Sequence, residues 1–148
     1  MPFGDTRMIS RKWSDHHARY LPSSFNAKVA VAKRSATTYD PATDDTTSTW
    51  STVHAGPARV QRMPGDHPVE TAGQHLTGQP YLVEVAADAP AVERGHRVRI
   101  TESANDPSLA GQDLWVVVAG MGSERFTRSL WCSDAQIDAT TGAQVGAP

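Results

Sequence analysis

Six short apolar runs, each bounded by segments rich in glycine, proline, aspartate and threonine, restrict this chain to a small all-β architecture. Residues 28–34 place Val29 and Val31 on one face by the two-residue period of a strand. Residues 50–63 form a second run, interrupted at Gly56-Pro57, where the missing proline donor suits an edge or a bulge. Residues 81–85 alternate cleanly, with Tyr81, Val83 and Val85 inward and Leu82 and Glu84 outward. Residues 97–101 repeat the pattern through Val98 and Ile100, and 126–131 read as a final strand. Residues 114–119 are apolar on both faces, as a central or barrel-closing strand requires. Near-regular spacing with turn signals predicts a β-barrel or compact β-sandwich, and 148 residues suffice for one such core.

Around this body the sequence places three less regular segments. Residues 1–27 form a basic and aromatic arm, in which Ser14-Asp15 caps a short helix over 16–20 that stops at Leu21-Pro22. A helix of barely two turns is marginal alone, so its aromatics must pack on the body or on a neighbour. Residues 37–49, with Asp40-Pro41 and Asp44-Asp45 among threonines, read as a turn or exposed hairpin tip. Residues 64–80 form a long loop with Gly65, Gly73 and Gly78, and such loops are commonly functional or disordered. After the barrel domain of 28–132, residues 133–148 read as a polar tail.

Charge is divided along the same lines. Arg7, Arg11, Lys12, Arg19, Lys28, Lys33 and Arg34 stand against Asp5 and Asp15, giving the first 34 residues a net of about +5. With a formal net charge of -2 overall, the remainder carries about -7. An acidic body with a basic leading arm suits docking on an acidic surface or head-to-tail self-association.

Catalytic and metal chemistry find little support. Cys132 is the single cysteine, so multi-thiolate zinc sites are excluded, and as a small buried hydrophobe it needs no reactive role. His16 and His17 are adjacent and diverge on a helix, while His54, His67, His75 and His96 are scattered. No nucleophile elbow is present, Gly120-Met121-Gly122 lacks the third glycine of a dinucleotide fingerprint, and Asp66-His67 reads as a solvated pair. The expectation is a protein that is not an enzyme and has no catalytic residues, metal or cofactor. No run approaches the about 20 apolar residues of a membrane span, and Met1-Pro2-Phe3-Gly4-Asp5 lacks a signal-peptide pattern, so a soluble protein made in the cytoplasm is expected. A single-strand nucleic-acid module is the rival: Arg97 and Arg99 share a strand face, with Arg125 and Arg128 near in sequence. Against it stand the net negative barrel and aromatics (Tyr81, Trp115, Phe126, Trp131) that the core should claim.

A set of ordered motifs carries a resemblance. The run Trp-Ser-Thr-Val-His-Ala-Gly-Pro-Ala-Arg-Val-Gln over 50–61 is followed by Tyr81-Leu82-Val83-Glu84-Val85, then Gly95, Val98, Ile100, Asp106-Pro107, Leu109, Gly111 and the apolar strand 114–118. Gly95 allows a tight turn, Asp106-Pro107 starts another, Leu109 pins that loop to the core, and Gly111 supplies permissive backbone before the next strand. Over about residues 28–132 the chain resembles the small head-tail connector proteins (head-closure, or head-to-tail stopper) of actinobacterial tailed phages and prophages. It departs from them in Gly95-His96, where Gly-Asp is frequent, and residues 1–27 match none of their pattern.

The resemblance implies a structural protein of the virion neck, made in the host bacterial cytoplasm. It would form a homo-oligomeric ring of six or twelve copies that closes the portal channel after DNA packaging and joins head to tail. Its partners would be the portal or adaptor ring, the tail terminator or tail tube protein, and passing double-stranded DNA bound without sequence specificity. No membrane is involved. A neighbouring neck ring, adaptor or tail terminator, is the alternative within this class. Beside the resemblance, charge and aromatics assign assembly contacts to Arg7, Arg11, Lys12, Trp13, Tyr20 and Phe25. The loop 64–80, with Asp66, Glu70, Gly73 and His75, is the candidate gate, its acidic groups repelling the phosphate backbone.

Overall fold

The computed structural model describes residues 11–64, 70, 71, 74, 75, 78–120, 126–139 and 145. The chain is mainly β, with one α-helix among the described residues, α1 (Arg11–Tyr20), ahead of the strands. These are β1 (Ala27–Asp40), β2 (Asp45–Arg62), β3 (Glu70–Thr71), β4 (Gln74–His75), β5 (Pro80–Ala86), β6 (Arg97–Ser103), β7 (Asp113–Ala119) and β8 (Thr127–Ser133). Six of them close into a barrel-like ring in the order β1-β2-β5-β8-β7-β6, every neighbour antiparallel, with β3-β4 a separate two-stranded ladder.

Alternation along each strand fills the ring. Val29 and Val31, Val83 and Val85, Val98 and Ile100, Leu114 and Val116, and Leu130 and Cys132 all face inward, none more than 1% exposed. Each such side chain contributes about 1.5–3 kcal/mol by leaving water. Ala58, Tyr81, Ala89 and Val92 complete the same cluster. In β5 the inward and outward positions fall as the sequence dictates.

Two bulges explain where simple alternation fails. Val116 pairs with Cys132 and Val118 with Trp131, leaving Val117 as an extra residue in β7. Val116 and Val117 are therefore both buried and Val118 is 44% exposed. The strand that reads as apolar on both faces is an ordinary one kinked by one residue. In β2, Val31 and Ala32 pair with His54 and Thr52, so the extra residue is Val53. Gly56 and Pro57 do not interrupt β2; they pair with Val29 and Lys28, and pairing with β5 begins at the next residue, Ala58.

Other expected boundaries shift too. The helix begins at Arg11, so Ser14 and Asp15 lie inside it rather than capping it, while its end at Tyr20 before Leu21-Pro22 is as expected. The stretch 37–49 is mostly strand: β1 and β2 stay in register to Asp40↔Asp45, and only 41–44 turn. After β8 the chain is not simply a tail, because Ile137 is 1% exposed and the Val145 N–H donates to the Gln136 carbonyl at 2.7 Å.

Candidate assembly interface

The helix of the N-terminal arm packs on its own barrel at Phe126. Trp13 and His17, one turn apart on α1, have ring centroids 3.9 Å apart and each lies 5.7 Å from Phe126, just before β8. Trp13 remains 44% exposed. His16 and Tyr20 stack on another face at 4.4 Å, with Tyr20 55% exposed. Phe25 is half-buried beside Asn26, Lys28 and Pro57, Lys12 is exposed, Arg11 opens the helix, and Arg7 lies outside the described residues. The arm's aromatics are thus divided between contact with the barrel and presentation to solvent.

From the barrel β1 and β2 continue together as a hairpin. Its root carries a cation cluster: the Arg34 and Arg97 guanidiniums lie 5.5 and 4.6 Å from the Trp50 ring centroid. Lys33, Arg94 and His96 line the adjoining cleft, where burial holds the His96 imidazole below its ordinary pKa. At the tip Asp44 adopts φ 53°, its Oδ1 accepts from the Tyr39 hydroxyl at 2.7 Å, and Asp40 Oδ1 accepts from the Ala42 N–H at 2.9 Å. These bonds stiffen a turn that carries three carboxylates, Asp40, Asp44 and Asp45.

The 64–80 segment leaves the other end of β2. Its stem is clamped by Gln79, whose Nε2 donates to the Met63 carbonyl at 2.6 Å and whose N–H donates to Asp134 Oδ1 at 2.7 Å. Arg62 donates to Gln79 Oε1 at 2.9 Å, and the Met63 N–H to the Pro80 carbonyl at 2.9 Å. Within the segment Glu70 pairs with His75 and Thr71 with Gln74, so it contains a short ladder of its own. Asp66 and Gly73 lie outside the described residues.

The turn residues occupy the geometry their types require. Gly95 and Gly111 have φ +83° and +86°. Asp106 Oδ1 accepts from the Ser108 N–H at 3.1 Å and caps a single 3-10 turn begun by Pro107, and Leu109 packs against the core. The Gly111 N–H donates to the Ile100 carbonyl at 2.7 Å, returning the chain to β7.

Charged groups in the barrel wall are largely committed. Arg99 grips both Asp113 oxygens, at 2.7 and 2.8 Å, and this holds the Asp113 carboxyl below its usual range. Arg59 pairs with Glu84 at 3.2 Å and Lys28 with Glu102 at 2.9 Å. The Cys132 thiol is fully buried, which pushes its pKa far up. Among the described residues no three His, Cys, Asp or Glu converge as a metal site, and no helix is long and apolar enough to cross a membrane.

Sequence reasoning missed the extent of the hairpin and the Arg34–Trp50–Arg97 stack. Its signal was the uncharged run 46–52, whose β-branched threonines favour strand over turn.

A family model described as "Family of unknown function (DUF6093)" matches residues 17–133. No curated protein matches the chain. Among solved structures it is similar to the solution structure of protein SF1141 from Shigella flexneri 2a, at 14% identity and a TM-score of 0.52, covering 74% of this chain and 92% of that one. At that identity the likeness is one of fold.

Proposed function

This chain belongs to the DUF6093 family, and we propose that it is a structural subunit of a tailed-phage neck, forming the ring that closes the portal channel and joins head to tail. The observation that carries this reading is the opposed placement of its extensions. The β1–β2 hairpin and the clamped 64–80 segment leave opposite ends of β2, while the interior of the ring is filled by apolar side chains. A subunit built this way has one stable body and contacts available above and below it, as a spacer between two other rings needs. The ordered motifs shared with head-to-tail stopper proteins supply the specific role.

On this reading the ring contains six or twelve copies, docks on the portal or adaptor ring, and receives the tail terminator or tail tube. The 64–80 segment is the gate, converging sterically to retain DNA without phosphate adhesion. Exposed aromatics of α1, Trp13 and Tyr20, and the basic Arg7, Arg11 and Lys12 carry contacts to the neighbouring ring. A nucleic-acid module is less well supported, because Arg99 is held by Asp113 and Arg97 lies over Trp50.

The test is deletion of the gene from its phage. Filled heads that leak DNA or fail to accept tails are expected; normal virions would end the proposal. Native mass spectrometry of purified necks should find six or twelve copies. Defective tails on stable, filled heads would instead assign the chain to a neighbouring tail ring.

A further inference from the structure

β1 pairs with β6 only as far as Ala32, and β2 pairs with β5 only from Ala58 onward. Beyond those limits the two strands pair with each other alone among the described strands. From Lys33 to Asp40 the hairpin extends about 23 Å at roughly 3.3 Å per residue. Bulges at its root, Val53 in β2 and Ser35 in β1, bend its strands where they leave the barrel pairings.

Free strand edges are normally protected by lysine, proline, inward charge or a covering segment. Here the β1 edge reads Ser35-Ala36-Thr37-Thr38-Tyr39 and the outer β2 edge Thr46-Thr47-Ser48-Thr49-Trp50-Ser51-Thr52, with no charge and no proline in either; Pro57 stands on the β2 edge only at its inner end, next to the β5 pairing. Charge is confined to the root (Lys33, Arg34) and to the tip (Asp40, Asp44, Asp45). Both edges are strongly strand-forming and open to pairing.

We propose that these edges are an interface between copies of this chain, with the β2 edge (45–52) of one copy pairing with the β1 edge (35–40) of the next. The inference rests on the ring reading above and names the contact that makes the ring. A second copy fits better than an unrelated strand, because one added strand satisfies one edge and leaves the other bare. Copies laid side by side in one orientation satisfy both. Since β1 and β2 are antiparallel, β2 of one copy also runs antiparallel to β1 of the next, so the new ladder continues the pattern of the hairpin. The rotation that makes one contact makes the following one, and on the ring reading that rotation divides a full turn, so that the series closes. Neighbouring acidic tips then lie about 10 Å apart, two strand spacings and one Debye length, so physiological salt removes most of their repulsion.

Two measurements on the full chain test this. Hydrogen exchange is compared between the isolated subunit and assembled necks, and a variant with residues 37–48 replaced by Asn-Gly, a two-residue hairpin turn, is checked for fold and incorporation. Expected are edge amides in 35–39 and 46–52 that exchange at least about 100-fold more slowly in the ring, and a folded variant barrel that is excluded from necks. Rings with unchanged exchange at these residues, or normal incorporation of the variant, would overturn the edge contact and leave the ring intact. Slow exchange already present in the isolated subunit would assign the edges to another part of the same chain and overturn it as well. Absence of the chain from necks would remove the ring reading itself.

Discussion

Gly95 and Gly111 offer a matched pair in which one substitution isolates a packing contact. Both have φ near +85°, where a Cβ costs roughly 1 kcal/mol of backbone strain. A Cβ on Gly111 meets nothing within 4 Å, whereas one on Gly95 falls 2.5 Å from the Ala139 Cβ and 2.7 Å from its Cα. Gly111→Ala should therefore cost about 1 kcal/mol. Gly95→Ala adds an overlap of about 1–3 kcal/mol, because backbone must move as well as a side chain. For a chain of this size 1 kcal/mol moves Tm by about 2–4 °C, so drops of about 2–4 °C and roughly 4–16 °C are expected by scanning calorimetry. Adding Ala139→Gly to Gly95→Ala should recover part of the difference, and a double-mutant cycle reads the coupling directly. Equal drops for the two alanine variants, with no coupling to residue 139, would show that the segment after β8 does not rest on Gly95.

Phe126→Ala removes the surface that receives Trp13 and His17; faster exchange of the α1 amides is expected, with the barrel losing only about 0.5–1.5 kcal/mol of aromatic contact in urea titration. Asp113 is held by Arg99, so its folded pKa lies below the ordinary 3.8. Its contribution is present above that value and lost as pH falls through the depressed one; Asp113→Asn should lower stability at pH 7 and flatten the profile over that acid range, where the variant and the parent converge. Cys132, fully buried with a raised pKa, should react with a thiol reagent at pH 8 only as fast as the barrel opens, and labelling complete within seconds in native buffer would contradict the burial.

The core was legible because period-2 alternation and burial coincide in β5 and β6, where Val83, Val85, Val98 and Ile100 lie inside as expected. The turn residues were legible for a related reason: Gly95, Gly111 and Asp106-Pro107 are local chemistry. The bulges at Val53 and Val117 depend on partner strands, and nothing in Val116-Val117-Val118 says which valine is extra. Residues 37–49 read as a turn or hairpin tip, short of the paired strands they form, because Asp40-Pro41 and Asp44-Asp45 are strong turn signals and overshadow the strand propensity of the threonines flanking them. The cation stack around Trp50 joins residues 34, 50 and 97, and only closure of β1 against β6 brings the third to the first two.

That closure also sets the order in which the chain can fold. The β1–β2 pairing spans a four-residue turn, whereas the seam joins Val29 to Ile100, about 70 residues away. Local hairpins form in microseconds, while a barrel closed by so distant a pairing belongs among chains that fold in milliseconds to seconds. During that interval the hairpin exists with its uncharged edges exposed and the seam still open. Newly made chains are then exposed to adhering before their barrels close, with charge only at the root (Lys33, Arg34) and tip of the hairpin to hold them apart. A cell that makes many copies at once would gain from slow synthesis of this chain.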